Sequence, residues 1–228
     1  MPPSKLKARR LWLSNGNRRW AKERGLPTLE GHLRGFEKVE VIIDALKGTE
    51  VKFVSFYLFS TENWDRSPEE VSYLMDLAGK KIDSLTKKLQ KENLRCVIMG
   101  RPEPVNPKLW QKMMDAEVKT AENTGLTVCI CFNYGGQWEI ADAASRAIAA
   151  GEAELSPESF AKYLYHPEVP PLDMLVRTSG EQRISGFQLW RAAYAEFWFI
   201  EKHFPEIKAE DVAATIQEFH QRQRRFGK

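Results

Sequence analysis

Acidic residues are missing from one short stretch and cysteine is scarce throughout, and each absence removes a class of function. Between Leu11 and Lys22 the chain has no Asp or Glu. Mg²⁺ prefers hard anionic oxygen ligands, so a loop holding a phosphate–magnesium pair would want a carboxylate there. Asn15 stands where one is expected. The three cysteines, Cys96, Cys129 and Cys131, lie in apolar runs. This fits buried thiols in a reducing compartment and argues against a disulfide framework. Cys129 and Cys131 share one face of an expected strand, but with no second pair and no nearby His they make no zinc site. No apolar run approaches the roughly 20 residues of a membrane span. Met1–Lys5 leads into no apolar segment, so no signal peptide is expected. The expectation is a cytoplasmic protein, at most touching a membrane surface. A P-loop ending in Gly-Lys-Ser/Thr is absent, which argues against nucleotide hydrolysis. The basic C-terminal end lacks the interleaved aromatics of a nucleic-acid platform, so no nucleic-acid partner is expected.

The 228 residues suffice for one domain with a sizeable core, and no repeat, linker or low-complexity segment divides positions 1–228. A net charge of +3 is too small to define a partner, but its distribution is informative. Lys5, Lys7, Arg9, Arg10, Arg18, Arg19, Lys22 and Arg24 crowd one end; Arg222, Arg224, Arg225 and Lys228 crowd the other. If the ends meet, they form one anion-attracting region; otherwise they are two solvated charge runs.

Strand-like runs recur at Leu11–Leu13, Val51–Phe59, Cys96–Met99, Leu126–Phe132, Met174–Val176 and Phe197–Ile200. Helical patterns separate most of them. Phe36, Val39, Ile43 and Leu46 space as one helix face before Gly48. Pro68 opens a long helix striped by Val71, Leu74, Met75, Leu77, Ala78, Ile82, Leu85 and Leu89. Pro107, Trp138, Ser156-Pro157 and Glu210 mark further helices. The alternation predicts an α/β fold with a mainly parallel central sheet flanked by helices.

Ligands of such sheets bind beyond the carboxyl ends of the strands, and the polar clusters fall there. Asn15-Gly16-Asn17-Arg18-Arg19-Trp20 follows the first strand and opens a helix. Gly16 permits close backbone approach, the helix start offers free N–H groups, and the arginines supply charge. His32 is either a phosphate donor or a helix-capping or surface histidine. Ser60-Thr61-Glu62-Asn63-Trp64-Asp65-Arg66 could cover an apolar ligand with a charged head, although Thr61, Asp65 or Ser67 could equally cap the next helix. Arg177-Thr178-Ser179-Gly180-Glu181-Gln182-Arg183-Ile184-Ser185 suits a diphosphate, whose paired oxygens match arginine forks. Glu196, in an apolar stretch, is either structurally paired or a metal ligand.

Taken together these residues resemble the cis-prenyltransferases, the undecaprenyl diphosphate synthase family. The likeness runs from about Leu11 to Gly227 and includes residues 16–22, Gly31-His32, residues 59–64, Asn133-Tyr134-Gly135-Gly136, residues 177–181, residues 193–196 and residues 224–227. It implies an α/β homodimer with a hydrophobic tunnel, lined here by the Val71–Leu89 stripe. The implied reaction adds isopentenyl diphosphate to an allylic diphosphate such as farnesyl diphosphate, with Mg²⁺. On this resemblance Gly16, Asn17, Arg18, Arg19, Trp20 and His32 would bind the allylic diphosphate, with Ser60, Glu62 and Arg66 nearby. Asn63 and Trp64 would sit by the reacting carbons, Asn63 aiding proton removal. Arg177, Arg183 and Ser185 would bind isopentenyl diphosphate, joined by Arg225 and Gly227 reaching across the dimer. Glu196 and position 15 would place the metal.

The chain departs from the family pattern at several positions. Asn15 replaces Asp, Ser14 replaces Met, Thr28 replaces a common Arg, Gln182 replaces a His that some members carry, and Gly186 replaces Asn. A neutral amide is a poor Mg²⁺ ligand, so these departures imply slow catalysis, a non-catalytic subunit supporting an active homologue, or an irregular or cyclising condensation of allylic diphosphates.

Overall fold

The structure is a computed structural model that describes residues 16–222 and the backbone of Arg10–Leu11. Four strands form a wholly parallel sheet: β1 (Arg10–Leu11), β2 (Phe53–Ser60), β3 (Arg95–Met99) and β4 (Thr127–Tyr134), in the order β1-β2-β4-β3. Two more, β5 (Met174–Thr178) and β6 (Glu196–Ile200), pair in parallel, and β5 packs beside β1. The helices are α1 (Asn17–Glu23), α2 (Thr28–Leu46), α3 (Pro68–Lys91), α4 (Pro107–Lys119), α5 (Gly136–Ala149), α6 (Pro157–Ala161) and α7 (Ala209–Gln221).

All eight residues of β4 are buried, because the strand is covered on both faces. Alternation sends Val128, Ile130 and Phe132 toward the core shared with α2, α3 and α4. Cys129, Cys131 and Tyr134 face the opposite core, against Leu175 and Phe187. Both β4 thiols therefore share a face, as their spacing predicts, and all three cysteines are fully buried outside any disulfide. Burial pushes the Cys96 thiol far above its ordinary range.

Local chemistry sets the helix limits. The Ser67 hydroxyl accepts from the Glu70 N–H, Pro68 occupies the first turn of α3, and Glu69 and Glu70 lie at the positive end of the helix. Asn106 caps α4 in the same way, ahead of Pro107. Helix α2 begins at Thr28, a full two turns before the apolar face that starts at Phe36. Gly31 and Gly35 lie inside it because α1 crosses there. A Cβ at Gly31 would stand 2.1 Å from the Asn17 carbonyl oxygen, and one at Gly35 would stand 2.5 Å from the Asn17 amide.

A buried ion pair locks the far side of the sheet. Arg191 meets the fully buried carboxylate of Glu139 on α5, which also accepts from the Tyr134 hydroxyl at 2.5 Å and the Tyr165 N–H at 3.2 Å. Arg191 donates onward to the Tyr165 and Val169 carbonyls. No charge is left unpaired, as a buried pair requires.

Candidate active site

A cleft of ≈ 1110 Å³ opens at the carboxyl ends of β2, β4 and β5. Its walls bring together loops that lie far apart in sequence: Gly16–Arg19, His32, Ser60, Glu62, Asn63, Arg66, Gly135-Gly136, Arg177, Arg183 and Ser185. At one end Phe36, Leu58 and Leu74 make the wall apolar. Phe36 and Leu58 also border a narrow apolar crevice of ≈ 30 Å³ between α2, α3 and β4, lined by Ala78, Ile82, Leu85 and Phe132.

The first loop is shaped by Gly16, whose φ of 97° lies in the left-handed region and favours glycine. A Cβ there would stand 1.9 Å from Ser179 Oγ and 2.8 Å from His203 Nδ1. Arg19 Nη1 donates to Glu181 Oε1 at 2.6 Å. Glu181 Oε2 meets Arg183, so one carboxylate bridges arginines from two loops. Burial raises the Glu181 carboxyl, but Arg183, Arg19 and Arg177 outweigh it and hold the group below its ordinary range.

Arg177 is nearly buried at the end of β5. Its Nη1 donates to Ser185 Oγ at 3.0 Å and to the Arg183 carbonyl, while its Nε is buried with no partner. Burial, then the charge of Arg183, pulls its pKa down from a very high ordinary value.

The sequence reading missed Glu70. This nearly buried carboxylate accepts from His32 Nε2 at 2.9 Å and Arg66 Nη1 at 2.9 Å, with Arg18 Nε at 3.8 Å. Three cleft-lining basic groups thus share one acid behind the wall. Its spacing of four from Arg66 was the available signal, but Glu in a first helical turn reads by default as a dipole partner. Burial foremost lowers the His32 pKa, which favours neutral imidazole near neutral pH. Neutral His32 donates from Nε2 to Glu70, leaving Nδ1 as an acceptor.

The segment after β2 is a 3₁₀ turn, Thr61–Asp65, closed by reciprocal Ser60–Asn63 bonds. Asn63 lines the cleft, whereas Trp64 turns inward. Its indole donates to Asn133 Oδ1 at 2.8 Å and its ring meets Phe59 edge-on. Asn133 completes its own bonds by donating to the Arg101 and Glu103 carbonyls. Trp20 also lies off the cleft wall, beneath the Arg24 guanidinium. Glu196 lies off the cleft wall, paired with Arg222 at 3.1 Å. Asn15, Arg225 and Gly227 lie outside the described residues.

The comparisons agree with this architecture. A family profile described as "Putative undecaprenyl diphosphate synthase" matches residues 13–227. An "Isoprenyl transferase" of Thermotoga maritima is 42% identical over 219 residues, covering 94% of each chain. A trans,polycis-polyprenyl diphosphate synthase of Thermobifida fusca, described as (2Z,6E)-farnesyl diphosphate specific, is 41% identical over 93% of this chain and 78% of its own. Among solved structures, lavandulyl diphosphate synthase from Lavandula x intermedia, in complex with dimethylallyl diphosphate, has a TM-score of 0.90 at 27% identity. That match covers 97% of this chain and 98% of the other. Fold and relatives define a prenyltransferase. Within that class the chain belongs to the cis-prenyltransferase family, that of undecaprenyl diphosphate synthase.

Proposed function

We propose that the chain condenses isopentenyl diphosphate onto an allylic diphosphate such as farnesyl diphosphate, giving a polyprenyl diphosphate. One observation carries this reading: basic groups from two separate loops line a single cleft, Arg18 and Arg19 after β1 and Arg177 and Arg183 at the end of β5. Two diphosphates need two such sets, and an isoprenoid tail needs an apolar wall, which Phe36, Leu58 and Leu74 supply. The unpartnered Arg177 Nε is a donor that a diphosphate oxygen would satisfy.

In this mechanism Arg18 and Arg19 take up charge as the allylic C1–oxygen bond breaks. Arg177, Arg183 and Ser185 hold the second diphosphate so that its terminal alkene carbon faces C1. The terminal alkene carbon bonds to C1 as the allylic diphosphate leaves, positive charge forms at C3 of isopentenyl diphosphate, and its C2 methylene gives up a proton to the released diphosphate, with Asn63 beside that carbon. Trp64 acts from behind, packing the turn that presents Asn63.

Mg²⁺ belongs to this reading as the cofactor, supplying charge to the leaving diphosphate. Among the described residues no three His, Cys, Asp or Glu side chains converge as a metal site. Glu181, one of the two carboxylates on the cleft wall, is engaged by arginines. The described residues do not fit the ion unaided.

A homodimer also belongs to the proposal. Tyr194 is 76% exposed, and Phe197 and Phe199 are exposed on the last strand, an apolar surface suited to a second copy. Contact with anionic lipid through the basic ends follows from the amphiphilic product; no described helix is long and apolar enough to cross a membrane.

The test is incorporation of labelled isopentenyl diphosphate with farnesyl diphosphate and Mg²⁺, on this chain and on Asn15→Asp in parallel. Linear product from this chain is expected, with a rate about a hundredfold higher or more for Asn15→Asp, because an anionic oxygen ligand for Mg²⁺ is restored. No product from either would overturn the synthase reading in favour of a non-catalytic subunit. A second reading, condensation of two allylic diphosphates, draws on Thr28, a neutral residue on the cleft wall where the family commonly has Arg. Branched or cyclic products from dimethylallyl diphosphate alone would establish it.

A further inference from the structure

Three side chains outside the cleft lining form a hydrogen-bonded chain directly beneath the first loop. His203 Nε2 lies 3.0 Å from both carboxylate oxygens of Glu23, at the end of α1. His203 Nδ1 lies 2.9 Å from Ser179 Oγ, just past β5. Ser179 Oγ and His203 Nδ1 in turn fill the space where a Cβ of residue 16 would project.

A serine, a histidine and a glutamate in line suggest a nucleophile, and the geometry argues against one. Ser179 is buried and off the cleft wall, and the Ser179 and Gly180 N–H groups are bound to the Lys202 and Ile200 carbonyls. An oxyanion formed at Ser179 would find neither donor free. The chain's product is placement. Glu23 can only accept, so Nε2 donates to it, and Nδ1 shares the second hydrogen bond with the Ser179 hydroxyl. That fixes the Ser179 rotamer against Gly16 and ties both to α1. Arg24 reinforces the tie, bonding Glu206 at 2.6 Å beyond His203.

We propose that His203, oriented by Glu23, is a positioning residue that sets the Gly16 loop through Ser179 and so tunes affinity for the allylic diphosphate. The inference rests on the synthase reading, in which that loop holds this substrate. The isosteres separate its two bonds: an Asn amide overlays ring Nδ1, and a Gln amide overlays ring Nε2. His203→Asn keeps the Ser179 bond; His203→Gln keeps only the Glu23 bond.

The experiment is calorimetric binding of unreactive farnesyl thiodiphosphate, and separately of isopentenyl diphosphate, to the full chain and to His203→Asn, His203→Gln and His203→Ala. Thermal unfolding is recorded for each. The expected result is an allylic affinity about tenfold weaker in His203→Ala and His203→Gln, largely recovered in His203→Asn, with isopentenyl diphosphate binding unchanged. Equal allylic affinity in all four proteins, equal losses for Asn and Gln, or a parallel loss for both ligands would overturn the inference while leaving the synthase reading intact. Failure of the unsubstituted chain to bind either ligand would overturn the synthase reading, and the inference with it.

Discussion

Glu70→Ala removes the carboxylate that three cleft-lining basic groups share. The His32 bond is the larger part, since its side chains are only 6% and 10% exposed. A hydrogen bond to a charged group under such burial contributes about 1.5–3 kcal/mol. Arg66 is more open, at 23%, and its pair adds on the order of 1 kcal/mol after screening. Arg18, at 3.8 Å and 59% exposed, adds about nothing. The expected destabilisation is about 3 kcal/mol at neutral pH, or a fall of roughly 6–12 °C in the thermal midpoint for a chain of this size. Burial raises the Glu70 carboxyl, but the His32 bond and the charges of Arg66 and Arg18 overcome it and hold the group below its ordinary range. A depressed carboxylate stabilises fully above its unfolded pKa of about 4.3, and that contribution vanishes as pH falls through the folded value. The gap between the two proteins in urea unfolding should therefore be full at pH 7 and shrink below about pH 4. Glu70→Gln, which still accepts from His32, should fall between them. A loss under about 1 kcal/mol at pH 7, or a gap that persists undiminished in acid, would refute the shared-anion account.

Other perturbations test other parts of the molecule. Glu139→Ala should cost about 3–5 kcal/mol in urea unfolding, because Arg191 is left charged and buried, whereas replacing both partners by Leu and Met should recover most of that loss. Arg177→Lys should weaken isopentenyl diphosphate binding about tenfold or more in calorimetry, since a point charge cannot reproduce the fork that reaches Ser185. If the proposed homodimer pairs through β6, Phe199→Asp should give a monomer in sedimentation; an unchanged dimer would move the interface elsewhere.

The strands and the capped helices were legible because their signals are local. Ser67-Pro68 and Asn106-Pro107 place the starts of α3 and α4 by chemistry that the adjacent residues contain. The start of α2 was less legible: Gly31 and Gly35 weaken a helical pattern, yet Gly31 admits the backbone of α1 and Gly35 admits the Asn17 side chain. The basic residues of the cleft could be listed from sequence, but their partners could not. Glu70 and Glu181 neutralise arginines across turns and loops, Trp64 is drawn inward by Asn133, and His203 reaches Glu23 across 180 positions. Glu196 shows the same limit: an acid in an apolar run announces that it has a partner, and only the fold identifies Arg222.

The burial of Cys96, Cys129 and Cys131 has a practical use. With every native thiol sealed in the core and Cys96 disfavoured as thiolate, a maleimide dye offered to the folded chain meets no competing sulfur. A single cysteine placed at exposed Ser84, on the outer face of α3, would take the dye by itself. The folded protein therefore serves as its own background free of accessible thiols. A fluorophore there, paired with one on the opposite rim of the cleft, would report the distance between α3 and that rim.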